Sequence, residues 1–89
     1  MEGISAVLAQ ARVMLASLRQ VPDDREARVE IMRLTGAIVG HADREDWYAL
    51  GDIAGPLVRL LATRRGDPPV FDALEGGFDE IEALISARA

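Results

Sequence analysis

Apolar residues return along this chain at intervals of three and four, and no stretch alternates singly, so the pattern predicts helices from end to end. Ile4, Leu8, Ala11, Leu15 and Leu18 form the first row, widened by Val7, Met14 and Val21, while Gln10, Arg12, Arg19 and Gln20 fall mostly off it. Nothing interrupts the run before Pro22. A stripe covering more than a third of the circumference is wide for a helix with one neighbour. It predicts either two neighbours or one neighbour and another chain.

The second helix is expected from about Asp24 to Val39, with Asp23 as N-cap and Glu26 three residues on as a capping-box partner. It carries two apolar rows, Ala27, Ile31, Leu34, Ile38 and Val29, Met32, Gly36, Val39. Gly36 reads as a close crossing and Gly40 as a C-terminal stop. His41-Ala42-Asp43 then links to a third helix capped by Asp43, with Glu45 and Asp46 in its first turn. In that helix Trp47, Leu50, Ala54, Leu57 and Leu61 keep helical phase across Gly55-Pro56. Proline in a helix interior removes a hydrogen bond and clashes one turn back, yet two unrelated helices would have no reason to share a phase. The reading is one helical path bent at Gly55-Pro56, with a two-helix corner as the alternative. Asp67 and Pro68 suit the cap and first position of a last helix bearing Phe71, Leu74, Phe78, Ile81, Leu84 and Ile85. Gly76-Gly77 costs about 1 kcal/mol per glycine there and reads as a tolerated weak spot, or a short break, away from the apolar row. The fold class is therefore all-α, a compact bundle of four short antiparallel helices, or five with a corner at Gly55-Pro56. The whole of 1–89 forms one domain.

Composition sharpens this. Only four aromatics are present, so the core must be built from aliphatic side chains and Ala. All ten basic residues are arginine, and neither lysine nor asparagine occurs; both have AT-rich codons, which points to a GC-rich, bacterial genome. A net charge of −5 argues against a nucleic-acid partner, because phosphate chains are bound by clustered Lys and Arg. Arg64-Arg65, the one adjacent basic pair, suits a helix C-terminus. Without cysteine there is neither a disulfide framework nor a thiolate metal site. No apolar run reaches the ~18 residues of a membrane span, and the first residues lack the basic start and cleavage site of a signal peptide. The expected location is cytoplasmic, with neither a membrane nor a nucleic acid as partner.

Chemistry is sparse. His41, the single histidine, has Asp43, Glu45 and Asp46 nearby, but a metal needs at least three converging ligands, and His41 and Glu45 share the i, i+4 spacing only if that segment is helical. Arg44-Glu45 stands where histidine phosphotransfer domains carry a Lys-Gly pair. Ser17, in Ala-Ser-Leu, lacks the Asp of an acyl-carrier attachment site, and no nucleophile-elbow context surrounds any serine. The acidic residues of the last helix read as a solvated face. No catalytic residue, metal or cofactor is expected. Trp47 and Tyr48 are of the types that dominate interaction hot spots, although Trp47 also heads the apolar row and fits a core.

Trp47-Tyr-Ala-Leu50-Gly51 reproduces the W-x2-L-G opening of TPR helical hairpins, although Pro56 falls where the first TPR helix should continue. WYAL, PLVRLLATRR, GDPP and VFDALEGGFDEIEAL resemble, in order, the C-terminal half of the small TPR-like co-chaperones of type III secretion needle subunits. The resemblance covers about half the chain, and a chain of this length would lack an N-terminal helix of that family. It implies a protein that shields an aggregation-prone helical subunit. Together with the wide stripe, it predicts a non-enzymatic chaperone or adaptor whose Ile4, Leu8, Leu15 and Leu18, helped by Trp47 and Tyr48, meet another chain, as a homodimer or as a heterodimer with a helical client. Two alternatives stay open: an acidic inhibitor or immunity protein for a basic partner, and a small-molecule binder or enzyme accessory subunit with a pocket at the Gly55-Pro56 bend.

Overall fold

The computed structural model describes residues 3–88. Four helices follow one another, α1 (Ile4–Gln20), α2 (Arg25–Arg44), α3 (Tyr48–Thr63) and α4 (Pro68–Arg88), with no strand among the described residues. Links of three or four residues oblige each helix to turn back along its predecessor. α1 and α3 each pack on both α2 and α4, and the diagonal pairs make no close backbone approach. The helices thus stand at the corners of a square, up-down-up-down, and every helix has two neighbours. That arrangement buries Leu8, Ala11, Leu15 and Leu18 within the chain and half-buries Ile4, Val7 and Met14, while Val21 is 54% exposed. The eighteen buried apolar residues form one core, with Phe78, Leu18, Ile31, Ile38, Leu50, Leu61, Leu74 and Ile81 at its centre. A Cα radius of gyration of 12.2 Å is that of a single domain, for which about 12 Å is expected at this length.

The helix ends differ from the expected ones for local reasons. Asp24, not Asp23, caps α2, its Oδ1 accepting from the Ala27 N–H at 3.2 Å. Gly40 does not stop α2, which runs on to Arg44. The buried row Ala27, Ile31, Leu34, Ile38 continues to Ala42, and that packing outweighs the roughly 1 kcal/mol helical penalty of one glycine. His41-Ala42-Asp43 is therefore helix and not linker, and Asp43 is not a cap. The stop comes at Asp46, whose φ of 51° is the left-handed C′ conformation. The Trp47 N–H then reaches back to the Ala42 carbonyl at 2.8 Å and the Asp46 N–H to that of Asp43 at 3.4 Å, the paired bonds of a Schellman motif. Because aspartate tolerates this conformation less well than glycine does, Asp46→Gly is expected to stabilise the fold by roughly 0.5 kcal/mol. An unchanged or lowered urea midpoint would contradict that.

Arg28 ties the start of α2 to the end of α3 by donating to the carbonyls of Leu61 and Arg64, two groups that a helix C-terminus leaves without partners. α3 itself passes through Gly55-Pro56 as one helix, with Leu50, Ala54, Leu57 and Leu61 all in the core, so the two-helix corner does not occur. Pro56 leaves the Asp52 carbonyl without its helical donor, a cost the buried row on the opposite side of the helix outweighs. α4 begins as expected, Asp67 Oδ1 accepting from the Val70 N–H at 3.0 Å and Pro68 opening the helix. It continues through Gly76-Gly77. Gly77 does not lie away from the packing face: a Cβ there would stand 2.6 Å from Leu57 Cδ1. The close crossing expected at Gly36 is therefore found at Gly77, and Gly36 is exposed with nothing within 4 Å of an added Cβ.

Candidate partner surface

The residues expected to meet another chain fall into three environments. Leu8, Leu15 and Leu18 are 3%, 3% and 0% exposed, enclosed by α2 and α4. This corrects the expectation for α1, because the second neighbour of its stripe is α4 and not a partner chain. Ile4 is half-buried at the end of the same row, beside Val7, Ala37 and Arg44. Trp47 is half-buried and packs on the core margin, while Tyr48 is 77% exposed.

Around Trp47 the chain builds a small cluster. The Arg88 guanidinium stacks over the indole at 4.2 Å from its centroid, and His41 meets it edge-on at 6.5 Å. With Glu45 and Ile85 these residues line an open hollow of about 330 Å³. His41 is in helix and Glu45 is its C-cap, yet no group of three or more His, Cys, Asp or Glu among the described residues is placed to hold a metal.

The acidic face of α4 is more engaged than its composition suggests. Arg12 reaches Asp79 at 2.8 Å and Glu82 at 3.5 Å, and Arg19 reaches Asp72 and Glu75, each at 2.9 Å. Arg19 also lies over the Phe71 ring. The two arginines are seven residues apart on α1 and their partners seven apart on α4, running in opposite directions, so the pairs fix the antiparallel register of this seam. The hydrogen bond to Asp72 leads the effects that raise the pKa of Arg19. On α2 a hydrogen bond from Arg33 holds the Glu30 carboxyl below its ordinary value. These exposed pairs are each worth only ~0–1 kcal/mol and weaken with salt.

Exposed large apolar side chains stand on and just after α1 (Val13, Val21), at the start of α3 (Tyr48) and on α2 (Val29), and around Val29 the outer side of α2 and α3 carries two rows. The first row of α2 is consumed by the core, and the second runs along its outer, α3 side: Val29 is 65% exposed and Gly36 is exposed, while Met32 and Val39 are half-buried against the core margin. α3 supplies a matching row at the same three- and four-residue spacing, Gly51, Gly55, Val58 and Ala62, half-buried or exposed. Two contacts set the orientation: Arg28 of α2 bonds the end of α3, and a side chain at Gly51 would touch Ala42. No charged residue lies within either row. Ile53 and Leu60, on the other side of α3, pack against the core margin, as Met32 and Val39 do from α2. The α2 row is legible in the sequence, but its α3 counterpart is glycine or alanine at all positions except Val58 and gives no hydrophobic signal.

No helix among the described residues is long and apolar enough to cross a membrane. No protein-family model matches the chain, and no curated protein or solved structure matches it significantly. Among the described residues the chain is an all-α four-helix bundle.

Proposed function

We propose that this chain is a partner-binding helical protein with no chemistry of its own, a chaperone or adaptor that shields a helical segment of another protein along its α2–α3 face. The observation carrying this reading is the second apolar row of α2, whose Val29 stands exposed and whose Met32 and Val39 are only half-buried at the core margin. A helix laid into such a face would insert its own residues at three- and four-residue spacing between Met32, Val39 and Val58. The resemblance of the C-terminal half to needle-subunit co-chaperones supports the same role, with a different face used. The inhibitor reading loses weight because Asp72, Glu75, Asp79 and Glu82 are already paired with arginines of the same chain. A pocket at Gly55-Pro56 loses weight because α3 passes through without unwinding.

The test is co-expression with the helical product of the neighbouring gene. Val29→Asp and Val58→Asp are expected to abolish co-purification while retaining the helical circular-dichroism signal, since a carboxylate placed in an apolar contact goes unpaired. Undiminished binding by both variants would overturn the proposed face.

A further inference from the structure

The α2–α3 face has ends of opposite charge. α2 begins at Arg25 and ends near Asp43, and the outward row runs between them: Arg25, Val29, Met32, Gly36, Val39, Asp43, in steps of four and three. The eighteen steps from Arg25 to Asp43 span about 27 Å of helix. α3 runs the other way and carries Asp52 toward the Asp43 end and Arg59 toward the Arg25 end, both exposed. The Arg59 guanidinium lies along the row, 4.0 Å from where a Cβ on Gly55 would stand. Among the described residues Arg25, Arg59, Asp43 and Asp52 have no ion-pair partner within the chain. Arg44, a basic residue at the acidic end, lies beside Ile4 and Val7 with its guanidinium 3.4 Å from where a Cβ on Gly40 would stand.

A surface positive at one end, negative at the other and apolar between is complementary to its own copy turned by half a turn. We infer that, before any client binds, this face is covered by a second copy of the chain, packed antiparallel about a two-fold axis between Gly36 and Gly55. This rests on the reading of the face as the partner surface. In a two-fold interface every contact occurs twice with the roles exchanged, so the Arg25 and Arg59 end of each protomer faces the Asp43 and Asp52 end of its partner. The axis falls where the surface has least bulk. Gly36 costs about 1 kcal/mol relative to alanine in a helix, and nothing within its own chain comes within 4 Å of an added Cβ. A crossing backbone supplies the reason that the monomer does not. The strip offers on the order of 500 Å² per protomer, below the ~800 Å² of a standard stable interface. The dimer is therefore weak, dissociating in the micromolar range, and a better-fitting helix displaces it.

The experiment is sedimentation equilibrium of the full chain from about 5 to 500 µM at low salt, on the wild type and four variants. The wild type is expected to pass from monomer to dimer over this range. Asp52→Arg and Arg59→Asp should each weaken dimerisation at least tenfold by setting like charges opposite one another, and the combined swap should recover most of the loss. Val58→Asp should leave a folded monomer. A wild type monomeric throughout overturns the inference, as does a dimer unaffected by Val58→Asp. A double swap no better than the single variants overturns the antiparallel arrangement. If the chain stays monomeric and still binds a client through Val29 and Val58, the dimer falls and the proposed function stands. If neither forms, both fall.

Discussion

Leu15→Asp is expected to unfold the chain, not to dissociate an assembly. Leu15 is 3% exposed and sits between α2 and α4 in the central row of α1. Truncating a buried leucine costs about 2–5 kcal/mol, and a carboxylate forced into the same site adds the penalty of an unpaired buried charge. A single domain has about 5–15 kcal/mol in total, with small domains at the lower end. The far-ultraviolet circular dichroism of the variant should therefore lose most of its helical signal at 25 °C. Val58→Asp, on the outer face, should keep it. A folded Leu15→Asp protein would mean that the row of α1 is not core.

The second large effect is at Gly77. A Cβ there would lie 2.6 Å from Leu57 Cδ1 and 2.8 Å from Cδ2, inside any real contact distance, and Leu57 is itself buried. Alanine recovers about 1 kcal/mol of helical propensity, but moving Leu57 in a packed core costs ~1–3 kcal/mol, so Gly77→Ala is expected to be destabilising by on the order of 1 kcal/mol. Gly77→Val adds two more carbons and should cost at least about 3 kcal/mol by the same mechanism. Combining Gly77→Val with Leu57→Ala should cost less than the sum of the two, because the smaller residue vacates the space. Gly36→Ala provides the contrast. Nothing meets its Cβ, so the monomer should gain up to about 1 kcal/mol from propensity alone. Urea melts at concentrations too low for association separate the two glycines. Equal signs at both positions would contradict the packing described here.

These two sites show what the sequence makes legible and what it does not. The three- and four-residue spacing of apolar positions identifies all four helices, and Asp67-Pro68 marks the start of α4 at the right residue, because cap chemistry is local. Leu8, Leu15 and Leu18 are rightly read as a row with more than one neighbour. Whether the second neighbour is α4 or another chain depends on ring closure, which spacing does not encode. Gly36, Gly40 and Gly77 are misassigned for a related reason. A glycine marks a crossing, a stop or neither according to what stands opposite it, and that is a tertiary fact. The stop of α2 is set by Asp46 in a left-handed conformation that its identity does not announce. Of the candidate surface, Val29, Met32 and Val39 are visible as a second row, whereas Gly51, Gly55 and Ala62 acquire meaning only beside them.

The account stands on the α2–α3 face being where other helices bind. Amide nuclear magnetic resonance of the labelled chain tests it most directly, first on raising its own concentration and then on adding the helical product of the neighbouring gene. In both titrations the shifts should move along residues 29–39 and 51–62, and stay still along the Arg12 and Arg19 side of α1 and its partners on α4. Shifts confined to the α1–α4 seam or to the Trp47 hollow, with residues 29–39 and 51–62 unmoved, would contradict it.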